Sequence, residues 1–186
     1  VFAKKNHCEI QNMKAAKAVS AALLAGETVG FYSEFPWTGS LPEGLKECSA
    51  DKQDRPAIGI AVTIHPSCEP FTSTVQIIPG VVTLGMGCRR NKEAEVIESE
   101  ASVCLSDADI YRQAVEKLTS ISIKKDEPGL QKLSKDWGIP FITFEEEELN
   151  HAEGEFTSSE FVKTVTGVNN VCERSAVLGA EQGRLI

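Results

Sequence analysis

Short apolar runs separated by glycine and proline predict strands that alternate with helices along this chain. Residues 13–25 are rich in Ala, Lys and Leu, which favour helix, and Gly26 follows as a stop. Apolar runs containing β-branched residues predict strands at residues 28–32, 57–63 and 74–78. Glycines and prolines across residues 33–56 predict a largely irregular segment between the first two of these strands.

Pro79-Gly80 is the best candidate for a domain boundary, and it divides the chain into domains 1–79 and 80–186. Strands are predicted in the second domain at residues 81–86, 121–124, 140–144 and 184–186. Helices are predicted there at residues 92–105, 107–118, 128–137, 145–150 and 171–180, and a further helix, capped by Thr157 or Ser158, extends through Val165. This alternation indicates an α/β fold, with a mainly parallel sheet flanked by helices in the second domain and a smaller α/β region before it.

Composition and charge limit the classes of partner. Hydrophobic residues make up 41% of the chain, enough for packed cores, but no apolar run is long enough to span a bilayer. The net charge of −8 argues against nucleic-acid binding, which needs a basic face. The six cysteines form no C-x-x-C pair and no signal peptide is evident, so we expect reduced thiols, no zinc site and a cytoplasmic protein.

The first candidate site lies at a junction between a predicted strand and a predicted helix. It contains two glycines, a cysteine and two arginines: Gly85, Gly87, Cys88, Arg89 and Arg90. We call residues 85–90 the arginine turn. Glycines allow a tight turn, free N–H groups at a helix start attract anions, and arginines add forked donors. The pattern is as typical of an anion site as of a glycine turn with two solvated arginines.

A second candidate site follows the next predicted strand. Lys124 and Lys125 could contact an anion, and Asp126 or Glu127 could act as a general base. The same segment also fits a purely structural role, because carboxylates and a proline, here Pro128, are favoured at a helix start. Since a parallel sheet places such junctions at one edge, we expect the two candidate sites to lie close together.

A third candidate site is the adjacent pair Glu173 and Arg174. It could supply an acid and an anion clamp to a ligand. It could equally be a surface ion pair that contributes little to stability. The residues alone leave both interpretations open.

Four segments occur in an order and spacing that resemble one known family: LGMGCRR, KKDEPGL, FTSSEFV and VNNVCERSAVLGA. Together they resemble the C-terminal domain of the cobalamin-biosynthesis family CbiG, a domain that is also similar to CobE of the aerobic pathway. The upstream stretch AAKAVSAALLAGETVGFYSE is similar to the family's middle region, and VFAKKN to the tail of its N-terminal domain. Asn91 replaces the family's usual glycine after the paired arginines, and Ser158 stands where proline is common.

The resemblance implies a role in anaerobic cobalamin biosynthesis, where the family hydrolyses the δ-lactone of cobalt-precorrin-5A. Acetaldehyde is released and cobalt-precorrin-5B is formed. Carboxylates of this corrinoid are expected to contact the arginine turn together with Lys124, Lys125 and Arg174. The implied candidates for the catalytic base are Glu127, Asp126 and Glu173. Cobalt arrives within the substrate, so no separate cofactor is expected, and other enzymes of the pathway are the further partners implied.

Other interpretations stay open at this point. The chain could be a non-catalytic module that presents or shields the corrinoid intermediate. An orphan carboxylate beside the arginine turn would favour the enzyme over the module. A nucleotide- or phosphate-binding α/β domain is a third interpretation, which the lack of a P-loop disfavours. The resemblance covers only part of a family member, so we expect a hydrolase site that uses the N-terminal domain to be incomplete here.

Overall fold

The computed structural model describes residues 8–49, 55–180 and 183–186. The chain forms two compact units: Val1–Gly80 with Ser106–Ala114, and Val81–Leu105 with Val115–Ile186. The change of unit after Gly80 lies beside the predicted boundary. The segment Ser106–Ala114 was assigned by sequence to the second domain, but the structure places it in the first unit, where the Tyr111 hydroxyl donates to Gln76 Oε1 at 2.6 Å. The segment VFAKKN lies outside the described residues.

The first unit is a mixed five-stranded sheet with a helix packed on it. Its elements are β1 (Cys8–Gln11), α1 (Met13–Leu24), β2 (Val29–Ser33), β3 (Leu45–Glu47), β4 (Ile58–Val62) and β5 (Ser73–Pro79). The strand order is β1-β5-β4-β2-β3, and β1 runs antiparallel to β5 while the other pairs are parallel. Helix α1 buries Ala15, Val19 and Ala22, which recur at helical spacing, in a core with Val29 and Val75.

The chain after Gly80 builds a three-stranded parallel sheet with helices around it. Its elements are β6 (Val82–Gly85), α2 (Ala94–Asp107), β7 (Val115–Ile121), α3 (Pro128–Trp137), β8 (Phe141–Phe144), α4 (Glu146–His151), α5 (Glu160–Thr166) and α6 (Val171–Gly179). The strand order is β6-β7-β8, with β7 in the centre. The predicted fold class is therefore confirmed: an α/β fold whose second part contains a parallel sheet flanked by helices.

The central strand β7 is buried on both faces. Leu118 packs in a cluster with Ile97, Leu130 and Leu133, from α2 and α3. Ile121 packs in a second cluster with residues of α4, α6 and the preceding loop: Leu149, Val171 and Val168. Leu118 and Ile121 are an odd number of residues apart in a strand, so their side chains point to opposite faces. The sheet therefore has helices on both sides.

Some predicted elements of this second part are wrong. The predicted helix 107–118 is instead a 3-10 turn, Arg112–Ala114, followed by β7. The strand predicted at 121–124 is displaced towards the N-terminus, because Ser122–Lys124 forms another 3-10 turn. Residues 184–186 form no strand. Helix α5 starts after the N-cap Ser159, whose hydroxyl accepts the Val162 N–H, and not after Thr157 or Ser158 as predicted.

Three further features bear on the class of protein: its thiols, the length of its helices and its possible metal ligands. All six cysteines carry free thiols in the structure. Among the described residues, no helix combines the length and the apolar character needed to cross a bilayer. The same residues contain no cluster of three or more His, Cys, Asp or Glu side chains arranged as metal ligands.

Candidate functional site

The arginine turn and the segment after β7 lie at the same edge of the parallel sheet. Strand β6 ends at Gly85 and β7 ends at Ile121, and the two strands are parallel neighbours with Gly85 opposite Thr119. The carboxyl ends of such strands are where α/β sheets bind ligands. Sheet topology therefore brings the first two candidate sites to a common edge, as the sequence predicts.

The central strand fixes the start of the arginine turn. The Met86 N–H donates to the Thr119 carbonyl at 2.8 Å, and the buried Ser120 hydroxyl donates to the Met86 carbonyl at 2.6 Å. Gly85 packs directly against α6, because a Cβ at this position would lie 1.9 Å from the Cys172 carbonyl oxygen. Close packing against α6 therefore explains the glycine at position 85.

Glu127 fixes the end of the arginine turn. Asn91 has a left-handed backbone with φ of 58°, a conformation that glycine and asparagine adopt most readily. The Asn91 N–H donates to Glu127 Oε1 at 2.6 Å, and Lys124 Nζ lies 3.2 Å from Oε2. The Glu127 side chain is only 5% exposed. Both oxygens of this candidate base are therefore paired, and Glu127 is not an orphan carboxylate.

Between these two anchors the turn presents unpaired donors to solvent. Arg89 and Arg90 are exposed, and neither side chain bonds to any residue that the structure describes. The backbone N–H groups of Cys88, Arg89 and Arg90 likewise have no acceptor in the described part of the chain. Two guanidinium groups and neighbouring N–H groups form a donor set suited to a carboxylate.

The second junction divides its charged residues between buried and exposed positions. Lys124 is paired with Glu127, as described above, and its side chain is 15% exposed. Lys125 and Asp126 are exposed, and their side chains make no hydrogen bond or ion pair with the described residues. Of the candidate bases, Asp126 is thus the one whose carboxylate is open to solvent and unengaged within the described chain.

The thiols beside the turn are poor nucleophiles. Burial raises the pKa of Cys88, and the positive charge of Lys124 opposes this only in part. Burial around the sulfur also raises the pKa of Cys172, although the residue reaches the surface, and a hydrogen bond from the Gly87 N–H partly opposes it. Because a reactive thiolate requires a lowered pKa, these sulfurs stay protonated at neutral pH. Cys88 therefore remains a binding candidate through its backbone N–H alone.

Arg174 is engaged within the protein. Its guanidinium Nη1 donates to three carbonyls at the end of α4, at 2.9 to 3.4 Å: those of Leu149, Asn150 and Ala152. Its Nε donates to Asn169 Oδ1 at 3.0 Å, and its guanidinium carbon lies 4.5 Å from the centre of the Phe156 ring. These contacts stabilise a helix end, so Arg174 has a structural role in place of the expected anion clamp.

Glu173 is also engaged. Its Oε2 accepts the Thr157 N–H at 2.8 Å, and its own N–H donates to the helix N-cap Asn170. Desolvation acts to raise the pKa of Glu173, but hydrogen bonds from Thr157 and Asn170 outweigh it, so the pKa is lowered. A general base near neutral pH needs the opposite shift. Glu173 thus fits a structural carboxylate better than a catalytic one.

Sequence reasoning missed two residues that shape the site. Asn91 has the left-handed backbone that follows the turn. The resembling family usually has glycine at this position, and this difference was the signal that could have identified Asn91. Ser120 fixes the start of the turn from the buried strand β7. No pattern could single out this serine, because the segment that contains it was itself not predicted as a strand.

The chain matches families and relatives of one biosynthetic pathway. The family described as Cobalamin synthesis G C-terminus matches residues 82–186, and the Cobalamin biosynthesis central region matches residues 1–79. The chain is 28% identical over 182 residues to the cobalt-precorrin-5A hydrolase of Salmonella typhimurium, covering 92% of this chain and 50% of that protein. It is 33% identical over 110 residues to the hydrolase of the same name from Priestia megaterium, covering 58% and 29%. The chain thus spans half or less of the length of these relatives.

CobE proteins resemble part of the chain. Protein CobE of Sinorhizobium sp is 27% identical over 116 residues, which cover 62% of this chain and 75% of that protein. A crystal structure of CobE, a protein from the cobalamin (vitamin B12) biosynthetic pathway, superposes with a TM-score of 0.52 at 30% identity, covering 57% of this chain and 76% of that one. The resemblance that the four sequence segments indicate is confirmed. The chain is similar to CobE. It belongs to the cobalamin synthesis G family, of which it contains the central region and the C-terminal part.

Proposed function

We propose that this chain binds cobalt-precorrin-5A at the arginine turn and takes part in hydrolysing its δ-lactone, with release of acetaldehyde and formation of cobalt-precorrin-5B. The names of two relatives suggest the reaction. The observation that carries the proposal is the exposed pair Arg89-Arg90, unpaired within the described chain, at the ligand-binding edge of a parallel sheet. Cobalt enters as part of the substrate.

The substrate is a polyanion, because its macrocycle carries acetate and propionate side chains. A protein with a net charge of −8 repels such a ligand at long range, so binding requires a local group of cations. Each charge-assisted hydrogen bond contributes on the order of 1.5–3 kcal/mol. Arg89, Arg90 and the N–H groups of the turn can make several of these bonds together, and Lys125 adds a cation at the same edge.

Lactone hydrolysis needs a base for the attacking water and donors for the oxyanion. Asp126 is the candidate base that fits best, since Glu127 and Glu173 are both engaged. The N–H groups of Cys88 and Arg89 are suited to stabilising the oxyanion when water adds to the lactone carbonyl. The acyl–oxygen bond then breaks to give a carboxylate and an alcohol. The alcohol loses its proton as the carbon–carbon bond to the macrocycle breaks, the electron pair of that bond stays with the conjugated macrocycle, and the two-carbon unit leaves as acetaldehyde.

A non-catalytic corrinoid-binding module is the second candidate function. It is favoured by the pairing of both Glu127 oxygens, since the buried carboxylate beside the arginine turn is not available as a base. In this case the arginine turn would bind the same polyanionic corrinoid without changing it.

Calorimetric titration tests the binding step with two matched ligands. Cobyrinic acid is a cobalt corrinoid with free acetate and propionate side chains, and its methyl ester has the same macrocycle without their charges. For Arg89→Ala/Arg90→Ala we expect the acid to bind at least about tenfold more weakly, about 1.4 kcal/mol. The loss should shrink as salt is raised, and affinity for the ester should not change. Unchanged affinity for the acid would refute the proposal.

A control variant separates a local contact from the overall charge. Lys132→Ala/Lys135→Ala also removes two positive charges, from exposed positions in the middle and in the last turn of α3, which runs away from the sheet edge. We expect it to bind cobyrinic acid as the wild type does.

Turnover separates the two candidate functions. In the full-length protein, Asp126→Asn should slow conversion of cobalt-precorrin-5A by about 100-fold if Asp126 is the base. Corrinoid binding with turnover unaffected by this variant would favour the binding module.

A further inference from the structure

We infer that Glu127 is a positioning residue that fixes the arginine turn in its anion-binding shape through Asn91, and that it is not the general base. This inference rests on the proposed function, since it assigns a role within the same site. It also predicts a property of the unliganded protein that is measurable whether or not a corrinoid binds.

The Glu127 carboxylate is directed away from its own helix. Glu127 is the N-cap of α3, and an N-cap carboxylate ordinarily accepts an N–H from the first turn of that helix. Here the side chain makes no such bond. Its Oε1 instead accepts the Asn91 N–H at 2.6 Å, across 36 residues of sequence, and its Oε2 faces Lys124 Nζ at 3.2 Å. A carboxylate paired on both oxygens and 5% exposed cannot readily take a proton from water.

Asn91 directly follows the arginine turn and lies three residues before α2 begins at Ala94. Its φ of 58° lies in the left-handed region, which asparagine adopts more readily than most residues with a side chain but which nearby contacts still help to maintain. The charge-assisted bond to Glu127 is one such contact. The Lys92 N–H, which follows, donates back to the Arg89 carbonyl at 3.3 Å and closes the turn.

The start of α3, where Glu127 is the N-cap, is closely packed. Gly129, two residues further on, packs so closely that a Cβ would lie 2.4 Å from the Lys92 carbonyl oxygen and 2.7 Å from Ile97 Cδ1. The start of α3 is thus packed against the residues that follow Asn91. With Met86 bonded to β7 at the other end, both ends of the turn are fixed and only its donor-bearing middle is free.

A fixed turn raises affinity because the cost of ordering the loop is met during folding and not during binding. Removing the acceptor of the Asn91 N–H should therefore loosen the turn and weaken anion binding together. A neutral side chain of the same shape should restore both when Lys124 is also removed, as in Glu127→Gln/Lys124→Ala, because the glutamine oxygen can still accept this N–H and its NH2 group no longer faces an ammonium. A general base could not be replaced in this way.

Amide hydrogen exchange of the unliganded protein provides the first readout. Protection of the Asn91 amide should fall at least about tenfold in Glu127→Ala, corresponding to about 1.4 kcal/mol, and stay near the wild-type value in Glu127→Gln/Lys124→Ala. The double variant Glu127→Ala/Lys124→Ala removes the buried charge pair as a unit, so it remains informative if the single alanine variant does not fold. Undiminished Asn91 protection in either alanine variant would overturn the inference.

Binding and turnover provide the second readout. Cobyrinic acid should bind about tenfold more weakly to Glu127→Ala/Lys124→Ala than to Glu127→Gln/Lys124→Ala. In the full-length protein, Glu127→Gln/Lys124→Ala should keep the kcat of Lys124→Ala, whereas loss of kcat with normal KM and normal Asn91 protection would identify Glu127 as the base and overturn the inference. If Arg89→Ala/Arg90→Ala leaves affinity unchanged, the proposed function fails while the exchange result still stands by itself.

Discussion

The arginine turn and the Glu173-Arg174 pair carry the same kinds of side chain and use them in opposite ways. Arg89 and Arg90 extend into solvent without a partner among the described residues, whereas Arg174 donates to carbonyls at the end of α4. On sequence alone both were candidates for binding an anion. The comparison teaches that the backbone groups beside a cation decide whether it is available to a ligand.

The reason lies in which polar groups each region leaves unsatisfied. The last carbonyls of a helix have no partner within it, and those at the end of α4 lie beside Arg174, which satisfies them. The ends of the arginine turn are already bonded to Ser120 and Glu127, so its arginines are not needed for internal bonds. A buried carbonyl without a donor costs more free energy than an arginine gains by being exposed to solvent. An arginine that lies beside such carbonyls therefore bonds to them.

The largest effect is expected at Gly85, where the arginine turn packs against α6. Gly85→Ala would place a Cβ 1.9 Å from the backbone oxygen of Cys172 on α6, the helix that carries Glu173 and Arg174. Backbone must move to relieve this clash, so we expect a loss of about 3 kcal/mol in the free energy of unfolding, measured with urea. Gly87→Ala is the matched control, because its nearest contact, Cys172 Sγ, would lie at an ordinary 3.4 Å. Similar stability losses in the two variants would contradict this explanation.

Arg174→Ala tests the comparison directly. It leaves carbonyls at the end of α4 without their donor, and we expect it to lower the free energy of unfolding by about 2 kcal/mol. Arg89→Ala/Arg90→Ala should change stability by less than about 0.5 kcal/mol. Corrinoid affinity should follow the reverse order, with Arg174→Ala binding normally under conditions where it is folded. A stable Arg174→Ala variant with weakened corrinoid binding would restore Arg174 as an anion ligand.

The smallest effect concerns the charge of Glu173. Its folded-state pKa lies below the ordinary 4.5, so its charge adds stability that is present above this value and is lost as the pH falls through the folded-state pKa. Glu173→Gln keeps an acceptor for the Thr157 N–H and removes only the charge. We expect the variant to melt slightly lower than the wild type at neutral pH, and the gap to close as the pH drops below 4.5. A gap that widens in acid would contradict the assignment.

Local sequence predicted those elements whose signals are local. Helix α3 was predicted at residues 128–137 with Pro128 at its start, and the structure shows the residue that follows, Gly138, in the left-handed capping conformation. Strand β7 was missed because its residues lack alternation: Leu118 and Ile121 are buried on opposite faces, and Val115, Thr119 and Ser120 are buried as well. A strand with both faces covered has no period of two, so its apolar spacing was mistaken for that of a helix.

The sequence by itself determined the α/β class, the strand-to-helix position of the arginine turn and the family resemblance, because glycine, proline and paired charges act within a few residues. Only the tertiary structure decided which charges are free. It paired Glu127 with Asn91 and Lys124, and it turned Arg174 towards the end of α4. Such pairings join segments far apart in the chain, and they depend on strand order and helix packing, which no local pattern encodes.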